Sequence, residues 1–89
     1  MHSKTKPVLA TAIATTPEAL IVTTETGSVS IPWDRCSERL ARASFAERSR
    51  AKLSPAGYGI HWPLIDEDLA VGPLLLSHKS HPRRTEGIA

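Results

Sequence analysis

Residues 19–33 read ALIVTTETGSVSIPW, and this stretch decides the fold class. Its first half is rich in β-branched and apolar residues, and Gly27 can adopt the positive φ that a tight hairpin turn needs. In its second half Val29, Ile31 and Trp33 fall on one face and serines on the other, as in a strand that buries one side. The stretch therefore predicts two antiparallel strands joined by a short turn.

A third strand is predicted upstream of this hairpin. Residues 8–15 have the same composition, and Pro17 follows at the second position of a type I turn, where its fixed φ is favourable. The three predicted strands, at about 8–15, 19–26 and 28–33, follow one another in meander order.

After Trp33 the composition changes to Arg, Ala, Glu, Leu and Ser, which favours helices. Asp34 is expected to cap a first helix. Ser44 and Glu47 have the spacing of a capping box, which opens a second helix at about 45–53. The apolar contacts expected from these two helices are Leu40, Ala41, Ala43, Phe45, Ala46 and Leu53.

Residues 58–62 alternate polar or aromatic with apolar side chains and predict a fourth strand. The residues that follow, 64–69, are expected to form a short extended piece or a turn. Trp33 and Trp62 are expected in the core, whereas Tyr58 is equally suited to an interface with a partner.

Residues 70–76 predict a last half-buried helical turn around Leu74 and Leu75. From Ser77 onward the sequence is polar and basic without a periodic apolar pattern, which predicts a disordered tail. The chain thus divides into an N-terminal extension at 1–7, one α+β domain at 8–76 and a basic tail at 77–89.

The chain has 89 residues and a mass of 9.6 kDa, which allows one domain with a modest core and excludes a multidomain enzyme. No apolar run approaches the roughly 20 residues that cross a bilayer, and no signal-peptide pattern follows Met1. Cys36 is the single cysteine, so it cannot form an internal disulfide and alone cannot hold a metal. We therefore expect a cytoplasmic protein that contacts no membrane and binds no cofactor or metal.

The formal net charge of +2 conceals a segregation along the chain. Six basic and three acidic residues give residues 31–54 a charge of +3, whereas residues 55–76 carry −3 and no basic residue. Arg35, Arg39 and Arg42 are spaced i, i+4 and i+7, which places them in one stripe if they share a helix. Such a stripe is a solvated face, a surface for an acidic protein or a surface for phosphates. The candidate partner-binding residues are Arg35, Arg39, Arg42, Arg48, Arg50 and Lys52, with Tyr58 nearby.

His61 and Cys36 are the residues whose chemistry could suggest an active site. His61 lies near Asp66 and Asp68, and a hydrogen bond to one of these carboxylates on a polar strand face is favoured over a role as base or metal ligand. Cys36 lies near a predicted helix N-terminus, yet no base motif accompanies it, so a partly buried thiol without a chemical role is favoured. We therefore predict no catalytic residue and no metal ligand.

The segment GYGIHWPLIDEDL at 57–69, followed by a leucine pair at 74–75, resembles the hallmark of the DUF2442 family, small bacterial domains of uncharacterised function. IPW at 31–33 and RLARASFAER at 39–48 are also similar to the family's pattern. The resemblance implies an α+β fold with an N-terminal three-stranded antiparallel meander, two short helices, a further strand and a short C-terminal helix. It also implies structural roles for the motif residues Gly59, His61, Trp62, Pro63, Asp66 and Asp68. Members of the family occur beside another small gene, an arrangement that resembles toxin–antitoxin pairs.

These observations favour a non-catalytic interaction domain that binds and modulates another protein or a nucleoprotein complex, as an antitoxin or an inhibitor does. The first alternative is a regulator that binds nucleic acid, with the basic helices and Lys79, Arg83 and Arg84 lying along phosphates. The second is a phage-encoded or mobile-element-encoded inhibitor of a nucleoprotein defence complex such as CRISPR. A homodimer formed through an open edge of the third or fourth strand is a further expectation.

Overall fold

The computed structural model describes residues 8–80 of the chain. These residues form two three-stranded antiparallel sheets and four short helices, so the predicted α+β fold is confirmed. None of the four helices has the length and apolarity needed to cross a bilayer. In chain order the elements are β1 (Ala12–Thr15), β2 (Ala19–Thr24), β3 (Gly27–Pro32), α1 (Trp33–Cys36), α2 (Glu38–Ala41), α3 (Phe45–Arg48), β4 (Lys52–Leu53), β5 (Gly59–Trp62), β6 (Glu67–Ala70) and α4 (Val71–Ser80).

The first sheet is the predicted meander, in the order β1-β2-β3. Its inner face is built from pairs such as Val22 with Val29 and Leu20 with Ile31, so the predicted apolar alternation is confirmed. The first strand begins at residue 12 instead of 8, and the hairpin turn occupies residues 25 and 26.

Trp33 was expected to end the third strand, and that expectation is wrong because β3 ends at Pro32. Pro32 is the last residue of the ladder, opposite Ala19, and its backbone is still extended at φ −57° and ψ 147°. Trp33 instead opens α1, and its indole Nε1–H donates to the carbonyl of Thr16 at 2.9 Å. The indole is buried as predicted.

The first predicted helix is two one-turn helices, because Ser37 interrupts it with an extended backbone at φ −169°. The Ser37 hydroxyl accepts the N–H of Leu40 at 3.1 Å and so caps α2, as serine does where it competes with helical hydrogen bonding. Asp34 makes no cap, since the residue preceding α1 is Pro32. The predicted stripe is therefore wrong, because its arginines are divided between α1, α2 and the residue that ends α2.

The second predicted helix begins as expected but ends early. The capping box is confirmed, because the Ser44 N–H donates to the Glu47 carboxylate at 2.9 Å and the Glu47 N–H donates to the Ser44 hydroxyl at 3.1 Å. The helix stops at Arg48 instead of residue 53, since the following chain pairs with β5 as the unpredicted strand β4. Phe45 is consequently 57% exposed, and the expectation that it is buried is wrong.

Two other predicted contacts of these helices also differ. Ala46 is exposed on the single turn of α3, although it was expected in the core. Leu53 packs against the core as expected, but it does so from β4, where it pairs with Ile60.

The second sheet has the order β4-β5-β6, and its central strand is the predicted fourth strand. The piece expected at 64–69 is a turn that leads into β6, and Asp66 in this turn has a left-handed φ of 53°. The last helix contains the predicted Leu74 and Leu75, both buried, and extends to Ser80, past the predicted boundary at residue 76. The rest of the predicted tail, 81–89, and the extension at 1–7 lie outside the described residues.

One core joins the two sheets. The rings of Trp33 and Trp62 meet edge to face with centroids 6.2 Å apart and an interplanar angle of 81°. Because both indoles are almost fully buried, they are the largest apolar groups of a small core. The other buried members of this cluster are Ala10, Leu20, Val22, Ile31, Cys36, Leu40, Ile60, Val71, Leu74 and Leu75.

Gly57 is a position where the fold requires glycine. Its φ is +81°, and a Cβ there would meet the backbone carbonyl oxygen of Ala10, whose N–H donates to the Gly57 carbonyl at 2.9 Å. We expect Gly57→Ala to lower the free energy of unfolding by about 2–4 kcal/mol in urea titrations followed by tryptophan fluorescence. Gly72→Ala is the control, because a Cβ at Gly72 meets nothing within 4 Å, so stability should be unchanged or higher. Equal stability of Gly57→Ala and the wild type would contradict this account.

Candidate functional site

Arg48, one of the six predicted docking cations, is a structural residue. Its Nε–H donates to the carbonyl of Leu40 and its Nη2–H to the carbonyl of Ala41, both at 2.9 Å. The guanidinium also lies 5.5 Å from the centroid of the Trp33 ring, within the range of a cation–π contact. The Arg48 guanidinium is therefore used in hydrogen bonds to the end of α2 and in a contact with the core residue Trp33.

The Arg39 side chain also makes hydrogen bonds within the domain. Its Nη1 donates to the carbonyl of Ile65 at 3.2 Å and to that of Asp66 at 3.0 Å. This pair of hydrogen bonds fastens α2 to the turn between β5 and β6, where the backbone is left-handed. The guanidinium is not neutralised by a carboxylate in these contacts, so its charge remains on this side of the molecule.

Arg42 forms an ion pair with Glu38, with Nη2 and Oε2 2.9 Å apart. Both side chains are largely exposed, and an exposed pair at i, i+4 contributes only about 0.3–0.5 kcal/mol. The groove beside this pair, about 500 Å³ in volume, is a surface of mixed charge rather than a cationic one. The groove is lined by Glu38, Arg39, Arg42, Ala43, Glu47, Ile65 and Glu67.

Arg50 and Lys52 lie elsewhere, on a surface that we call the basic groove. This groove has a volume of about 480 Å³ and is lined by Ser49, Arg50, Ala51, Lys52, Pro63 and Leu64. Within residues 8–80 neither cation forms an ion pair. Leu64 is 59% exposed, so the groove presents two unneutralised positive charges next to an accessible apolar side chain.

The remaining two candidates do not join the basic groove. Arg35 is exposed on α1 and lines neither groove. Tyr58 is 54% exposed and lies directly before β5, where its backbone carbonyl accepts the N–H of Val71 at 2.8 Å. The structure thus brings Arg50 and Lys52 together, and it does not assemble all seven candidates into one surface.

The motif residues build the second sheet. In its register His61 stands opposite Lys52 on one side and Asp68 on the other, and the His61 Nδ1 lies 2.6 Å from the Asp68 Oδ1. The predicted imidazole–carboxylate contact is therefore confirmed, with Asp68 as the partner. Trp62, also in the motif, is fully buried, and its Nε1–H donates to the Arg48 carbonyl at 3.0 Å. The other motif residues lie in β5 (Gly59) and in the turn after it (Pro63 and Asp66).

The thiol of Cys36 is buried, with its Sγ 3.8 Å from the carbonyl oxygen of Ile31. Burial is the main cause that raises the pKa of this thiol from 9.0 to about 12; Asp34 raises it as well, and Arg48 opposes them. A nucleophilic cysteine needs the reverse shift, so the thiolate is strongly disfavoured at neutral pH. Within residues 8–80 no group of three or more His, Cys, Asp or Glu residues is arranged to hold a metal.

The role of Leu64 in the basic groove was missed by sequence reasoning. The signal available in the sequence was the position of Leu64 directly after Pro63. A leucine in a turn has no residue of a neighbouring strand to pack against, so its side chain is available for a contact with a partner. Its neighbours Arg50 and Lys52 were identified by charge, but their position next to Leu64 depends on the pairing of β4 with β5. That pairing involves only two residues of β4 and leaves no periodic pattern in the sequence.

Replacing Arg48 with lysine tests its structural role. Lysine keeps the charge but lacks the planar fork that reaches the Leu40 and Ala41 carbonyls while lying over Trp33. We expect Arg48→Lys to lower the free energy of unfolding by about 1–3 kcal/mol, as measured by urea denaturation. Arg35→Lys, at an exposed position, should change it by less than about 0.5 kcal/mol. A smaller effect at Arg48 than at Arg35 would refute the assignment.

The raised pKa of Cys36 predicts a dependence of stability on alkaline pH. Because the folded chain keeps the thiol proton up to about pH 12 and the unfolded chain releases it near 9.0, this contribution is complete below pH 9 and is lost as the pH rises towards 12. The wild type should therefore lose stability more steeply than Cys36→Ala above pH 9, by up to about 1.4 kcal/mol per pH unit. Urea titrations at several alkaline pH values measure both slopes, and parallel slopes would show that the thiol is not protected.

Comparison with known proteins places the chain in a family. The family model described as "Protein of unknown function (DUF2442)" matches residues 10–79. A crystal structure of a protein of unknown function from Rhodospirillum rubrum ATCC 11170 is similar in fold, with a TM-score of 0.68 and 26% sequence identity over 82% of this chain and 89% of that chain. Curated proteins yield no match. Because the family model covers most of the chain, including both sheets, the three helices between them and all of α4 except its last residue, this protein belongs to the DUF2442 family.

Proposed function

We propose that this domain is a non-catalytic interaction module that binds an acidic segment of another protein through the basic groove. The observation that supports the proposal is the combination of Arg50 and Lys52, which form no ion pair within residues 8–80, with the exposed side chain of Leu64. Such binding would modulate the partner protein, as an antitoxin or an inhibitor does.

The chemistry of the groove selects its ligand. Two cations in one groove attract carboxylates and steer association, and this attraction is screened by salt over a distance of about 8–10 Å. Leu64 offers an apolar contact, and Pro63 fixes the backbone beside it. The matching ligand is a segment in which acidic residues flank an apolar one. Since the turn that carries Leu64 is fastened to α2 by Arg39, the groove is formed before the ligand arrives.

The arrangement of reactive groups supports a binding role over catalysis. One groove on the second sheet, about 350 Å³ in volume, contains Ser54, His61 and Asp68, the residue types of a hydrolase triad. The Ser54 hydroxyl, however, accepts the N–H of Gly59 at 3.1 Å, and the hydrogen bond of the imidazole is to Asp68. No hydrogen bond joins Ser54 to His61 in the described part of the chain, although a serine nucleophile needs that contact with its base.

Nucleic acid is the second candidate, because guanidinium and ammonium groups also bind phosphates. The exposed aromatic residues that stack on bases are few: Tyr58 and Phe45 lie outside the lining of the basic groove. The acidic peptide is therefore favoured, and binding of nucleic acid is an outcome that the experiment below distinguishes.

A peptide selection tests the proposed function. A display library of random peptides of about 12 residues is selected on the wild-type domain, and the selected peptides are then titrated by fluorescence anisotropy. We expect acidic peptides with an apolar residue, whose affinity falls at least about tenfold for Arg50→Glu/Lys52→Glu and falls with added salt. Arg35→Glu/Arg42→Glu is the matched control, since it carries the same charge change at two exposed arginines outside the lining of the basic groove.

Three results would contradict the proposal. The first is a selection that yields peptides without acidic residues, and the second is affinity that is unchanged by reversing both groove charges. The third is retardation of a mixed-sequence DNA duplex or single-stranded RNA at low salt that is lost with Arg50→Glu/Lys52→Glu, in the absence of any acidic peptide ligand. That third result would favour the nucleic-acid regulator instead.

A further inference from the structure

We propose that β3 pairs in antiparallel orientation with β3 of a second copy of this chain, which forms a two-fold symmetric dimer with one continuous six-stranded sheet. The strand is at the edge of the first sheet, where β2 is its partner among the described strands. This surface is separate from the basic groove, so the inference does not depend on the proposed function.

The backbone hydrogen bonds identify which groups of β3 are available. The carbonyls of Ala19 and Thr23, both in β2, accept the N–H groups of Thr16 and Thr11 on the β1 side. Because consecutive residues of a strand direct their backbone groups to opposite sides, Leu20 and Val22 direct theirs to β3, where they stand opposite Ile31 and Val29. The alternation in β3 then directs the N–H and C=O groups of Ser28 and Ser30 away from β2. Both serines are exposed.

These groups define one register for a symmetric pair. If the two-fold axis passes through Val29, Ser28 of each copy stands opposite Ser30 of the other, in hydrogen-bonded pairs. Each pair exchanges two N–H···O bonds, so both serine pairs use every outward backbone group of Ser28 and Ser30. Pro32 lacks an N–H donor, but it lies outside these two pairs, so all four of their hydrogen bonds can form.

The surroundings of Val29 favour a copy of this chain over a charged partner. Val29 lines an apolar groove of about 320 Å³ whose walls include Val8 and Leu76, which are 46% and 69% exposed. Neither this lining nor β3 contains an ionisable side chain. Two identical copies therefore meet here without like-charge repulsion, and an acidic or basic partner would find no opposite charge. The full lining is Val8, Thr24, Thr26, Val29, Gly72, Leu75 and Leu76.

The other sheet edges are less suited to strand addition. β4 has only two residues and carries Lys52, and β6 carries Glu67 and Asp68. Short strands and charged side chains are the features by which proteins block edge pairing. β1 has four residues and contributes none to the apolar groove. Of these four edge strands, β3 is the longest, with six residues.

A pair of charge variants tests both the dimer and its register. In Ser28→Lys/Ser30→Lys, each lysine faces a lysine of the other copy, whereas in Ser28→Lys/Ser30→Glu each lysine faces a glutamate. Both variants lose the hydrogen bond between the Thr23 and Ser28 hydroxyls, so the loss of that contact is matched. Sedimentation velocity, over concentrations up to about 0.5 mM, measures the mass of each species.

We expect the wild type to convert from the 9.6 kDa monomer to a species of twice that mass as concentration rises. The lysine–lysine variant should remain monomeric with an unchanged circular dichroism spectrum, and the lysine–glutamate variant should dimerise. A wild type that stays monomeric throughout, or a lysine–lysine variant that dimerises as the wild type does, overturns the proposal. Monomers from both variants alongside a dimeric wild type would reject the register about Val29 and with it the proposal as stated.

Discussion

The two sheets of this domain are held together by a contact between Arg48 and two tryptophans. Trp33 follows the last strand of the first sheet and Trp62 ends the central strand of the second, so their edge-to-face contact joins the sheets directly. Arg48 adds a third element, because its guanidinium lies over one indole while its carbonyl accepts the N–H of the other. Both indoles are almost fully buried, so this junction contributes the two largest apolar side chains to the core.

The three strands of the first sheet could be predicted because their determinants are local. Gly27 and Pro17 mark the turns of the meander, and apolar alternation in β3 identifies its buried face. The helices could be predicted only at their starts. The capping box of Ser44 and Glu47 is a contact within four residues, whereas the early end of α3 follows from the pairing of β4 with β5. That pairing is set by tertiary structure, and helix propensity cannot reveal it.

For the candidate site, the sequence identified a group of cations but could not distinguish the arginines from one another. Arg39 and Arg48 donate to backbone carbonyls, which lie 26 and 27 positions away for Arg39 and 8 and 7 positions away for Arg48. A single sequence contains no signal for a carbonyl that accepts a side-chain hydrogen bond. The charge pattern therefore predicted one surface of six cations. The fold divides them between internal contacts, an exposed ion pair, the basic groove and, for Arg35, an exposed position on α1.

The three consecutive one-turn helices have a consequence for the order in which the chain folds. A helix of four residues bears the entropic penalty of nucleation and gains almost nothing from elongation, so none of the three is stable alone. Their stability comes from tertiary contacts: Leu40 is fully buried in the core, and the Arg48 carbonyl accepts the indole N–H of Trp62 in β5. We therefore expect the stretch from 33 to 48 to become ordered after the β2–β3 and β5–β6 hairpins on either side of it.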